Sequence, residues 1–280
     1  INPSLFRGIH FTRSFFKLII TVRHFDKQLP FNGVISYNCG FHSFNLSPNS
    51  ISLIQQLYQK QSKDSNNLTI GPENIEALDE IFNGLDKPIS EYLGTNAKLD
   101  GVNFFIRSSK DVKSAKGFST NWHTDNVGSR LKVFICFEGD GSQPTLIFPP
   151  KENVTSILYL FYAYILELLR WLNIQNSMSL KDEISLCHRT GSVFILDTQI
   201  LHRGLWSNSS ATRHLLQFEF SNPDKHCLMK GILEGPIGTK KSNSFRFHES
   251  LLSLNCFAKF IDSTRVNRDG LYIDYVEQAS

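Results

Sequence analysis

The chain has 280 residues, 41% of them hydrophobic, which is enough to bury a sizeable core as one large domain. A net charge of +3, with 29 basic residues scattered and not gathered in a stripe, gives no electrostatic footprint for a nucleic acid. Five dispersed cysteines without short paired spacing argue against a disulfide framework and a closed zinc site, and fit reduced thiols in the cytoplasm.

The first residue is not Met, so the chain reads as a fragment or a processed form. The apolar run Phe15–Ile20 is short and no small-residue cleavage pattern follows it, so no signal peptide is expected. Asn32-Gly33 and Cys39-Gly40 mark turns in a stretch rich in aromatic and β-branched residues. Ile51, Ile54, Leu57 and Tyr58 form one stripe of a helix over 50–60, capped by Asn49 or Ser50. Gly71-Pro72-Glu73-Asn74 opens a second helix that should stop at Asn83-Gly84, and a third short helix runs from Pro88 to Leu93. These are expected to form an N-terminal helical layer on a sheet.

After Gly101 the period changes to that of strands, at 102–107, around His123, and at 131–138, where Leu131, Val133, Ile135 and Phe137 alternate with a mixed face. A short strand at 145–148 ends at Pro149-Pro150. Residues 156–173 read as a long apolar helix. It is shorter than the roughly 20 apolar residues of a bilayer crossing and carries Glu167 and Arg170, so no membrane span is expected. A helix buried against the sheet, a lid, a homodimer contact and an interfacial helix stay open as readings of it. Strands resume at 192–197 and 213–220, the latter with His214, Leu216, Phe218 and Phe220 on one face and Arg213, Leu215, Gln217 and Glu219 on the other. From Pro223 the text is polar and irregular, with one apolar patch at 251–261. Short strands in this number suggest a sandwich or barrel.

The chemistry gathers around Asn121-Trp122-His123-Thr124-Asp125. In an extended strand His123 and Asp125 project to the same side, an imidazole and a carboxylate aimed at one point. His202, in the strand-like segment Gly191–Gly204, is the candidate third ligand. Two imidazoles and one carboxylate leave the opposite face of a metal open, as non-haem Fe(II) requires for oxygen and a co-substrate. Arg213 follows His202 across one turn, and its planar fork suits a bidentate grip on a carboxylate. A dicarboxylate could then chelate the metal at one end and pair with Arg213 at the other, which is the binding logic for 2-oxoglutarate.

At these residues the chain resembles the Fe(II)/2-oxoglutarate-dependent dioxygenases, closest to the phytanoyl-CoA dioxygenase-like branch. The matching text is His123-Thr124-Asp125, 131–135, Pro144–Pro149, 191–204 and Asn208–Arg213, within residues 100–221. The resemblance implies a mainly β fold, a double-stranded β-helix (jelly roll, cupin-like) core at 100–221 with a helical insertion at 156–173, helical support at 1–99 and a C-terminal extension at 222–280. It also implies iron on His123, Asp125 and His202, the distal carboxylate of 2-oxoglutarate on Arg213, O2 as oxidant, and hydroxylation of a small-molecule substrate with release of succinate and CO2. Thr124, Lys132 and Gln217 are candidate co-substrate contacts, and Trp122 and Trp206 candidate substrate-lining residues. The chain departs from relatives at Pro149-Pro-Lys-Glu152 and at Gly204, where some carry Pro-Gly-Ser-His and a hydroxyl. Asp125 argues against halogenation, in which a small residue replaces the carboxylate.

Blander readings stand beside these. His188 and His214 read as structural, and Asp197 as a turn former. The alternatives to an oxygenase are a cupin-like metal enzyme that does not use 2-oxoglutarate, and a non-catalytic metal- or ligand-binding module.

Overall fold

The computed structural model describes residues 41–63, 67–108, 120–124, 130–149, 161–163, 165–166, 169, 179–197, 200–205, 212–222, 244–261, 266–267 and 270–273. Among them the strands are β1 (Phe41–Asn45), β2 (Asn67–Ile70), β3 (Lys98–Ser108), β4 (Arg130–Glu138), β5 (Thr145–Phe148), β6 (Ile184–Leu186), β7 (Ser192–Asp197), β8 (Leu201–Gly204), β9 (Thr212–Ser221), β10 (Ser244–Phe247), β11 (Val266–Asn267) and β12 (Gly270–Ile273). The helices are α1 (Pro48–Lys63), α2 (Ile75–Leu93) and α3 (Asn255–Ala258). A five-stranded sheet runs β1-β7-β4-β9-β3, a three-stranded sheet β6-β5-β8, and a four-stranded sheet β11-β12-β10-β2. Every strand pair is antiparallel except β10 with β2.

The alternation read from the sequence explains the two faces of the five-stranded sheet. Leu131, Val133, Ile135 and Phe137 of β4, Val193 and Ile195 of β7, and Leu216, Phe218 and Phe220 of β9 join one core with Leu78, Ile81, Phe82, Leu85 and Ile89 of α2. The intervening residues face the other way. Phe134, Phe194 and Leu196 pack with Ile147, Leu186 and Leu201 of the three-stranded sheet in a second core. Period-two alternation thus gives one face of the sheet to the helices and the other to the second sheet.

The helices differ from expectation at their ends. Ser47 caps α1, not Asn49 or Ser50: its Oγ accepts from Ser50 N at 3.3 Å, and Pro48 occupies the first helical position, where a missing N–H costs nothing. Ser47 N and Oγ each donate to the Glu80 carboxylate at 2.6 Å, which ties the start of α1 to α2. The two short helices expected over 72–93 are a 3-10 turn at Pro72–Asn74 and one continuous helix through Gly84 and Pro88. Pro88 removes only the bond to Gly84 O. Leu85, Ile89 and Leu93, all fully buried, supply the packing that carries the helix past it.

The polar text after Pro223 also contributes to the core. Leu251, Phe257 and Phe260 are buried against Phe82, and Leu99 N donates to Phe260 O at 2.8 Å. Of the expected helix at 156–173, residues 161–163, 165–166 and 169 lie within the described residues and are helical. Ala163 and Leu166 are buried in the second core, while Phe161 and Ile165 are exposed. No helix among the described residues is long and apolar enough to cross a membrane.

Candidate metal centre and carboxylate seat

His123 and His202 are joined through the main chain. His123 N donates to His202 O at 3.0 Å and His202 N donates to His123 O at 2.9 Å, an isolated antiparallel bridge. This brings the two imidazoles to a centroid distance of 4.4 Å. No strand forms around His123 among the described residues, and each ring is fixed by the main-chain carbonyl two residues before it. Nδ1 of His123 lies 2.7 Å from Asn121 O, and Nδ1 of His202 lies 2.8 Å from Ile200 O. A carbonyl oxygen only accepts, so both Nδ1 atoms carry the proton and donate, and in the neutral ring the lone pair sits on Nε2. Metal-binding histidines are oriented in this way, since the anchored N–H fixes the tautomer and raises the basicity of the other nitrogen. The donor set therefore fits a divalent transition metal at two positions. Asp125, the expected third ligand, lies outside the described residues, and among those residues no group of three His, Cys, Asp or Glu converges.

The level of this pair is set by β8, whose His202 is in register with Ile147 of β5. Two residues along β5, Thr145 is in register with Gly204, and two residues further lies Gln143. At roughly 3.3 Å per residue the Thr145 level is about 7 Å from the histidine pair, and Gln143 lies in the bend that precedes the strand. Arg213 is buried at 8% exposure, and its Nη1 donates to Gln143 O at 2.6 Å. The guanidinium thus sits deep along β5, on the inward face of β9, away from the end that holds the histidines.

The other candidate co-substrate contacts are engaged with one another. Lys132 and Glu219 are in register across β4 and β9, with Nζ 3.8 Å from Oε1, and Gln217 Nε2 donates to the same Oε1 at 2.6 Å. Glu219 was assigned no role from sequence, although its alternation with Arg213 and Gln217 put it on this face. Its carboxylate balances the Lys132 charge. Thr124 is buried next to His123. Trp122 is fully buried, packs edge-on against Phe148 at 6.4 Å, and lies 5.1 Å beneath the Arg203 guanidinium. Trp206 lies outside the described residues.

Three further groups resolve differently. His214 points to the helix-side core, with its ring 5.3 Å from Tyr58 and Nδ1 3.0 Å from Glu138 Oε2. Asp197 is fully buried and accepts from Tyr92 Oη, while its carbonyl accepts from Ile200 N at 3.1 Å in the turn between β7 and β8. His188 is fully buried beside Arg213's end of β5: its Nε2 lies 2.9 Å from Thr145 Oγ1. Burial first, and then the Arg213 charge, hold its pKa well below the ordinary imidazole value. Cys136, on the same inward face, has its thiol pushed up to about 12 by burial, with hydrogen bonding to Glu138 and the Arg213 charge opposing the rise.

No family model matches the chain, and no curated protein matches it. Among solved structures, the chain is similar to HygX from Streptomyces hygroscopicus with nickel and 2-oxoglutarate bound, at 11% identity and a TM-score of 0.47 over 72% of this chain and 86% of that one. It is similar to SnoN, a non-haem alpha-ketoglutarate-dependent epimerase from nogalamycin biosynthesis, at 10% identity and a TM-score of 0.45 over 81% of this chain and 92% of that one. AviO1 from Streptomyces viridochromogenes Tue57 is 12% identical with a TM-score of 0.42, over 67% of this chain and 92% of that one. Likeness at this level carries no residue role from one chain to another, so the chemistry rests on this chain's own side chains.

Proposed function

We propose that the chain is a non-haem Fe(II)- and 2-oxoglutarate-dependent oxygenase that hydroxylates a small molecule. In this reading His123, Asp125 and His202 hold the metal and Arg213 pairs with the distal carboxylate of 2-oxoglutarate. The supporting observation is the bridged histidine pair, with both Nδ1 atoms donating to main-chain carbonyls at 2.7 and 2.8 Å and both lone pairs on Nε2. A buried guanidinium further along the same interior adds the second end of a dicarboxylate site.

When bound, iron would supply oxygen activation coupled to decarboxylation of 2-oxoglutarate, yielding succinate and CO2 and oxidising an unactivated C–H bond. The chain's part is positional. The carbonyls of Asn121 and Ile200 hold the two rings, Arg213 fixes the far end of the co-substrate, and Glu219 balances the Lys132 charge. Phe134, Phe194 and Leu196 line the sheet behind the site and exclude water. In this reading the β3–β9 strands of the five- and three-stranded sheets form the two walls of a double-stranded β-helix over 100–221, to which β1 adds an edge strand from the N-terminal region. Residues 1–99 support it, 222–280 extend it, and the 156–173 helix serves as a lid or homodimer contact. The phytanoyl-CoA dioxygenase-like branch and a cytoplasmic setting are part of the same proposal.

Release of succinate from 2-oxoglutarate in the presence of Fe(II) and oxygen tests this reading. The wild type should form succinate slowly even without a primary substrate, and His202→Ala should form none. Equal succinate from both would remove His202 from the chemistry and overturn the proposal.

A further inference from the structure

We propose that His188 is a second arm of the carboxylate seat, donating from Nδ1 to the same distal carboxylate that Arg213 binds. The inference rests on the 2-oxoglutarate reading above and deepens it.

His188 has 1% of its surface exposed, and its Nδ1 has no hydrogen-bond partner among the described residues. A buried polar atom without a partner is costly, and natural proteins keep such atoms where a ligand, an ion or a water completes them. The ring stands between the two sheets. It projects from the chain just beyond β6, and the rings of Phe134 and Phe194 of the five-stranded sheet meet it edge-on at 6.1 and 5.3 Å. Its Nε2 is held by Thr145 Oγ1 at 2.9 Å, while the Arg213 guanidinium is held by Gln143 O at 2.6 Å. Both groups therefore flank residues 143–145 of one short segment, and the Arg213 charge acts on the His188 ring.

Thr145 Oγ1 can donate to Nε2 or accept from it, so this partner permits either tautomer, and the proposal takes the one in which the hydroxyl donates. A Thr145 hydroxyl donating to Nε2 places the imidazole proton on Nδ1, the atom that lacks a partner. Burial and the neighbouring guanidinium keep the ring neutral. His188 is thus a directional neutral donor and adds no second positive charge to the seat. The Thr145 level lies about 7 Å along β5 from the histidine pair, a span suited to a short dicarboxylate chelating a metal at the other end.

The test compares 2-oxoglutarate with 2-oxobutyrate, which lacks the distal carboxylate. Binding to the full chain loaded with Mn(II) is measured by calorimetry without oxygen. His188→Leu should weaken 2-oxoglutarate about tenfold, the loss expected for one hydrogen bond to a charged group, and leave 2-oxobutyrate within about twofold. His188→Asn, which keeps a donor near the Nδ1 position, should stay within about threefold of wild type, and His188→Gln should behave like the leucine variant. Equal weakening of both acids would mean a purely structural role and overturn the proposal. So would unchanged 2-oxoglutarate binding in His188→Leu while Arg213→Gln loses it. If His188→Leu fails to fold, equal affinities in the Asn and Gln variants overturn the proposal, and weaker binding in Gln alone supports it. Absence of 2-oxoglutarate binding in the wild type would overturn the underlying reading itself.

Discussion

Phe82 is the residue through which the C-terminal segment braces the sheet that carries the candidate site. Its ring is fully buried and meets Phe218 at 5.5 Å, Phe220 at 6.2 Å, Phe257 at 4.9 Å and Phe260 at 6.0 Å. Phe218 and Phe220 alternate along β9 with Gln217 and Glu219 on the opposite face, so this cluster backs the inward polar row. Substitution by leucine roughly conserves volume and should itself cost under about 1.5 kcal/mol. Each lost ring pair adds about 0.5–1.5 kcal/mol. Phe82 makes four such contacts, so at about 1 kcal/mol each Phe82→Leu should cost about 4 kcal/mol, and Phe257→Leu, whose ring meets Phe82 and Phe247, about 2 kcal/mol. The double variant should cost about 1 kcal/mol less than the sum, because the perpendicular contact between the two rings is lost only once. Urea denaturation read by fluorescence, with matching slopes for the four proteins, measures the cycle. Additivity within about 0.3 kcal/mol would refute the claim that the segment at 249–261 is coupled to the core through this pair.

Three further outcomes follow from the same structure. His188 stays neutral in the folded chain while an unfolded imidazole takes a proton below its ordinary value of 6.5, so the unfolded state binds more protons there. Stability should therefore fall as pH drops below 6.5, with up to about 1.4 kcal/mol per pH unit from this residue, and the urea midpoints of His188→Asn should lose that part of the slope. A Cβ at Gly139 would lie 2.5 Å from His188 O and 2.8 Å from Cys136 Sγ, so Gly139→Ala should destabilise the chain by about 1–3 kcal/mol in the same assay. With its thiol raised to about 12, Cys136 should resist alkylation at pH 8 in the folded protein and react only after denaturation, as peptide mapping would reveal.

What could be read in advance depended on how far a segment's pattern is set by its own neighbours. β4, β7 and β9 were legible because each has one face in the helix-side core and the other between the sheets, and burial on one face enforces a period of two. β2 and β10 were not, since they are four residues each and owe their pairing to each other across the chain. Gly84 and Pro88 are sound stop signals that tertiary packing overrode, because Leu85, Ile89 and Leu93 gain more by continuing into the core than the helix loses at the proline. At the site, His123 and His202 were singled out by residue type and spacing. Their backbone bridge and carbonyl anchors are conformational and leave no mark in the residue order. Glu219 was visible on the right face, but only the register Lys132↔Glu219 gives it a task. His188 follows the three-residue strand β6, too short for any periodicity to announce that its ring enters the interior.

The central claim is that His123, Asp125 and His202 hold iron with 2-oxoglutarate chelated to it and clamped by Arg213. Its most direct test is an anaerobic titration of the apo-protein with Fe(II) and then 2-oxoglutarate, following the visible metal-to-ligand charge-transfer band. The account predicts a band in the wild type that is absent in His202→Ala and that needs far more 2-oxoglutarate in Arg213→Ala. Iron binding without any band in the wild type, or an undiminished band in His202→Ala, would contradict it.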